Sequence, residues 1–64
     1  MTESQKMFAA YIAAVKQARQ TAREYRQMAG EYPKHAQEDL AHAEAARERA
    51  RGYLQRARLW RAEA

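Results

Sequence analysis

One proline divides this chain. Pro33 stands at the middle of 64 residues, three positions after Gly30, and Gly52 is the only other glycine. A proline disfavours helix in the residue before it and ends any helix that reaches it from the N-terminal side. On either side of Gly30-Glu31-Tyr32-Pro33 the chain is dominated by Ala, Arg, Gln and Glu, which rank high in helix propensity. The sequence therefore reads as an all-α chain of two long helices around a single turn. Helices joined so tightly lie antiparallel.

Local signals place the ends. Thr2-Glu3-Ser4-Gln5 has capping-box spacing, with Thr2 as N-cap and Gln5 three residues on; Ser4 is an alternative cap. Helix 1 is expected over about 3–29, with Gly30 in the left-handed conformation that often closes a helix. Residues 30–32 form the turn. Pro33 fits the first turn of helix 2, expected over about 33–61, because no helical partner awaits its missing N–H. One helical-hairpin domain would occupy residues 1–64, each helix about 40 Å long at about 1.5 Å per residue.

A heptad pattern predicts how the two helices meet. Phe8, Val15, Ala22 and Ala29 recur every seven residues, interleaved by Tyr11, Ala18 and Tyr25. Ala36, Ala43, Ala50 and Ala57 recur likewise, interleaved by Ala46, Tyr53 and Trp60. These are coiled-coil seams. One antiparallel register pairs Ala29 with Ala36, Ala22 with Ala43, Val15 with Ala50 and Phe8 with Ala57. The alanine-rich seam predicts a close approach of the backbones. Asp39 also falls on the seam, and the register sets Arg26 opposite it as a candidate ion pair.

Cysteine is absent, so neither a disulfide nor a thiolate metal site is available. The apolar run Met7–Val15 is too short for a bilayer, which takes about 20 helical residues. It also sits poorly as a signal peptide, because its flank carries Glu3 as well as Lys6. The expectation is a mature cytoplasmic protein with no membrane partner. Catalysis has no foundation in the residues. There is no nucleophile–base pair and no glycine-rich phosphate loop, and a hairpin offers no enclosed pocket. No enzyme activity, cofactor or small-molecule substrate is expected.

The formal net charge of +4 is unevenly spread. Residues 31–46 are acidic, whereas 47–61 hold six arginines against Glu48 alone. Lys16, Arg19, Arg23 and Arg26 share one flank of helix 1. Arg47, Arg51, Arg58 and Arg61 share the flank of helix 2 that lies on the same side. This basic face suits phosphates, which arginine grips bidentately. It is equally readable as a solvated face. In that reading Arg19, Arg23 and Arg26 are neutralised by the acidic half of helix 2, and the last arginines complement the helix dipole.

Four further constellations carry candidate chemistry. His35, Asp39 and His42 have metal-ligand spacing on one helix face, but a fourth ligand is missing and a solvated trio is the expectation, with no metal. The tyrosines and Trp60 would stack on bases if exposed, yet most lie on the seam and read as core. Gly52 shares a stripe with Ala45 and Leu59, either tolerated at the surface or admitting a second helix. Finally, Met7–Val15 is apolar on every side, which one neighbouring helix cannot satisfy. Ile12 and Leu54 fall on one flank outside the seam. With Met7 and Leu59 they predict an apolar patch at the open end, and such patches are usually interfaces.

In size and layout the expected hairpin resembles the plasmid-encoded Rop family of RNA-binding proteins, short hairpins that dimerise into four-helix bundles. The likeness is one of architecture, and no residue role is carried across. Two functions from different classes follow from the residues. One is a small regulatory interaction protein, of a kind common in phages and plasmids, that forms a homodimer or docks on a larger protein assembly through its apolar end and arginine-rich face. The other is a dimeric hairpin that binds RNA or DNA with the basic face.

Overall fold

The computed structural model describes residues 1–63, which are helical almost throughout and contain no strand. Helix α1 spans Glu3–Glu31 and helix α2 spans Ala36–Glu63, joined through Tyr32 and a 3-10 turn, Pro33–His35. The two helices run side by side as a hairpin whose Cα atoms fill a slab of 48 × 16 × 10 Å.

Thr2 caps α1 as its spacing predicts. The Gln5 N–H donates to Thr2 Oγ1 at 3.1 Å, and the Thr2 N–H donates to Gln5 Oε1 at 2.9 Å. Two of the otherwise unpaired N–H groups at the helix start are thereby satisfied.

The reversal differs from expectation at Gly30. Among the described residues none has positive φ, glycines included, and α1 passes straight through Gly30 to Glu31. The helix ends instead at Tyr32, whose N–H still donates to the Met28 carbonyl at 2.8 Å while its own backbone leaves the helical region at φ −126°, ψ 79°. Pro33 supplies the reason: its ring crowds the preceding residue out of the helical region. The His35 N–H then bonds the Tyr32 carbonyl at 3.0 Å, closing the 3-10 turn that leads into α2. The change of direction needs no left-handed residue. At its far end α2 continues two residues beyond the expected Arg61.

Between the helices lies a seam of small side chains. The buried residues are Val15, Ala18 and Ala22 from α1 and Ala43, Ala46, Ala50 and Ala57 from α2. All seven are heptad positions of the two predicted seams. Val15, Ala18 and Ala50 form one cluster, against which Tyr53 and Leu54 pack in part. Tyr11 and Tyr53 meet with ring centroids 6.3 Å apart, within the favourable range for an aromatic pair. These contacts agree with the register that sets Val15 beside Ala50.

Larger seam residues are less well covered than the alanines. Phe8, Tyr11, Tyr25, Tyr53 and Trp60 are only half-buried, and among the described residues no large side chain is fully buried. A second helix presents one narrow stripe, enough to enclose an alanine but not a ring. Apart from its own stretch of helix backbone, nothing lies within 4 Å of where a Cβ on Gly52 would sit, so no contact inside the hairpin requires glycine there.

The register makes a direct prediction. Cysteines introduced as Ala22→Cys with Ala43→Cys should oxidise to a disulfide within one chain. Ala22→Cys with Ala50→Cys should not, because helical rise separates those positions by about 10 Å along the axis. Preferential bridging of the second pair, read by mass spectrometry, would refute the alignment.

Candidate functional site

The register carries the flanking side chains with it. Residues four positions after each leading seam residue lie on the same side of the hairpin, and there Arg19 and Arg26 of α1 meet Arg47 and Leu54 of α2. Arg23 and Arg51 stand one step further out on that side. The structure brings these residues together: Arg19, Arg23, Arg26, Arg47 and Arg51, with Ala22, Ala50 and Leu54, line an open groove of about 290 Å³. The small seam alanines make its floor shallow, and the guanidinium groups form its walls.

No carboxylate lines this groove. Among the described residues, none of its arginines forms an ion pair within 4.0 Å. The expected neutralisation of Arg19, Arg23 and Arg26 by the acidic half of α2 is therefore corrected, as is the Arg26–Asp39 pair. Arg26 is exposed on the groove wall, while Asp39 is half-buried at the seam. Two of the three carboxylates of α1 accept from amides. Glu24 accepts from Gln20 Nε2 at 3.2 Å, and Glu31 accepts from Gln27 Nε2 at 3.3 Å. Both are neighbours four apart on one helix face.

Not every basic residue of the predicted face reaches the groove. Lys16, Arg58 and Arg61 are exposed outside its lining. Arg49 belongs to a second groove on the opposite flank, with Ala14, Gln17, Ala18, Thr21 and Tyr53. Sequence patterning found the basic side but missed Leu54 as part of it. The available signal was the seven-residue spacing that places Leu54 in line with Arg47 and Arg61.

The apolar candidates are distributed differently from the single patch expected of them. Leu54 is half-buried, packs partly on the core cluster and borders the arginine groove. Met7 and Ile12 are half-buried, and Leu59 is 69% exposed. At about 100° of helical rotation per residue, Met7 lies some 140° around α1 from Ile12, and Leu59 as far around α2 from Leu54. The four residues thus form a collar around the open end, together with the half-buried Phe8 and Trp60.

His35, Asp39 and His42 do not assemble into a ligand set, and no group of three or more His, Asp or Glu among the described residues is placed to hold a metal. His42 stacks on Tyr25 instead, with ring centroids 4.9 Å apart and planes 25° from parallel. This contact across the seam was not legible in the spacing of the histidines. No helix is long and apolar enough, among the described residues, to cross a membrane.

No protein-family model matches this sequence, and neither a curated protein nor a solved structure matches it.

The groove's electrostatics can be measured without a ligand. Arg23 has Arg19 four residues before it and Arg26 three after, and like charges at such spacings destabilise a helix by about 0.2–0.5 kcal/mol per pair. Arg23→Gln should therefore raise the melting temperature at low ionic strength. The gain should fade as salt shortens the screening length. A lower melting temperature for the variant at low salt would mean that Arg23 is already neutralised by a carboxylate.

Proposed function

We propose that this protein is a non-catalytic interaction module that buries its open end against another protein surface, in the first instance a second copy of itself. The observation that carries the reading is the core: among the described residues, the hairpin buries one valine and six alanines and nothing larger. Burial of a large aliphatic or aromatic side chain contributes about 1.5–3 kcal/mol, and alanine offers far less. Chains this short are marginal even with good cores.

Surface area supports the same reading. The hairpin exposes 5192 Å², against about 4,200 Å² expected for a compact monomer of its mass. Its radius of gyration is 14.6 Å, where a compact chain of this length has about 11 Å. The excess, about 1,000 Å² per chain, is on the scale of what each partner contributes to a standard protein interface. Phe8, Tyr11, Ile12, Leu54 and Trp60 are each half-covered, and Leu59 is mostly bare. Two copies meeting across a two-fold axis would cover these residues in a four-helix arrangement. In that form the protein would dock on and modulate a larger protein assembly.

Leu59 allows a clean test because it is not part of the hairpin's buried cluster. Sedimentation of the wild type should give a dimer at micromolar concentration. Leu59→Glu, alone or with Ile12→Glu, should shift it toward monomer, with helical circular dichroism retained at low temperature. A well-folded wild-type monomer at high micromolar concentration would contradict self-association.

A further inference from the structure

We propose that the arginine groove is a binding site for the phosphodiester backbone of double-stranded nucleic acid. It is a surface separate in its chemistry from the apolar open end, and the inference does not depend on self-association.

The first support is charge without compensation. Five guanidinium groups converge on one groove from two helices, and no carboxylate lines it. Holding like charges together is unfavourable unless a counter-charge arrives. An anion entering here meets donors already in place, and arginine offers paired N–H groups that match phosphate oxygens.

The second support is spacing. The antiparallel register orders the arginines along the groove as Arg51, then Arg47 beside Arg19, then Arg23, then Arg26. From Arg51 to Arg26 this spans about 18 Å at about 1.5 Å of rise per residue. A duplex laid along the groove carries a phosphate about every 1.7 Å of axis, both strands counted, so about ten lie within that length and about half of them face the groove. An acidic helix laid in the groove would offer a carboxylate on its contacting face only about every 6 Å, at every fourth residue. Charge density thus favours nucleic acid over an acidic protein.

The third support separates duplex from single strand. Binders of single strands interleave basic residues with aromatic rings on which bases stack. The only side chains other than arginine in this groove are Ala22, Ala50 and Leu54. The tyrosine nearest in kind, Tyr53, lines the opposite groove. With no stacking platform and no Asn or Gln to read base edges, the groove contacts backbone and shape, giving little sequence preference.

Fluorescence anisotropy of the full-length protein with labelled duplexes of about 20 base pairs, DNA and RNA, tests this across a salt series. The wild type should bind, and the logarithm of its association constant should fall against log salt with a slope of about −4.5 for five neutralised phosphates. Arg19→Gln with Arg23→Gln and Arg47→Gln should weaken binding at least about tenfold at about 100 mM salt and flatten the slope by about 3. Arg56→Gln, outside the groove, should change affinity less than about twofold. Gln is close to Arg in helix propensity, so the variants should keep their helicity; should the triple variant lose it, Arg47→Gln alone should still flatten the slope by about 1. Sedimentation of the same variants reports association separately, so a failed groove is distinguishable from a failed dimer. The proposal is overturned if the wild type ignores duplexes at low salt or if folded groove variants bind as tightly as wild type. It is equally overturned if polyglutamate displaces the duplex more effectively than unlabelled duplex does, which would assign the groove to an acidic protein.

Discussion

Everything in this molecule depends on how closely two helices approach along a line of alanines. Methyl-sized side chains at Ala18, Ala22, Ala43, Ala46, Ala50 and Ala57 let the seam close completely, and all six are buried. The same smallness limits what the seam contributes. A methyl group removes little apolar area from water, and hydrophobic stabilisation scales with that area. The hairpin therefore combines a well-defined register with a thin core. Definition comes from the repeat of seven, and thinness from the residues that fill it. Residues large enough to stabilise a fold, Phe8, Tyr11, Tyr53 and Trp60, sit on the same seam but remain half-open because two helices cannot enclose a ring.

The close seam also decides what happens on its flanks. It brings α1 and α2 near enough for arginines from each to share one groove, and its antiparallel register determines which ones meet. Arg19 falls beside Arg47 and not beside the acidic stretch that follows the turn. That stretch carries Glu38 and Glu44, which project into solvent. Gln20 and Gln27 donate to Glu24 and Glu31 of α1. The result is a molecule with two unsatisfied surfaces of different chemistry, an apolar collar at the open end and a cationic groove along one side. Leu54 belongs to both, packing on the core cluster while bordering the groove.

Much of this architecture is legible in the residues because it rests on local rules. The capping box of Thr2 and Gln5 needs only sequence spacing, and so do the heptads. The position of the turn follows from Pro33. Its mechanism does not, because Gly30 permits a left-handed conformation without demanding one, and Pro33 alone forces Tyr32 out of the helix. The ion pairs were harder. Sequence distance suggested that the α1 arginines face the acids of α2, but heptad position, rather than local net charge, governs which flank a side chain occupies. Asp39 points into the seam region while Arg26 lines the groove. The stacking of Tyr25 on His42 and the double role of Leu54 are contacts between helices, and no pattern within a single helix encodes them.

The central claim is that a hairpin with so thin a core owes a substantial part of its stability to burying its open end against another copy. If so, folding and association are linked, and the unfolding midpoint must depend on protein concentration. Thermal unfolding followed by circular dichroism from about 2 to about 200 µM measures this directly. The account predicts a melting temperature that rises by several degrees across that range. A cooperative transition at one temperature throughout the range would contradict it, showing that the alanine seam suffices by itself.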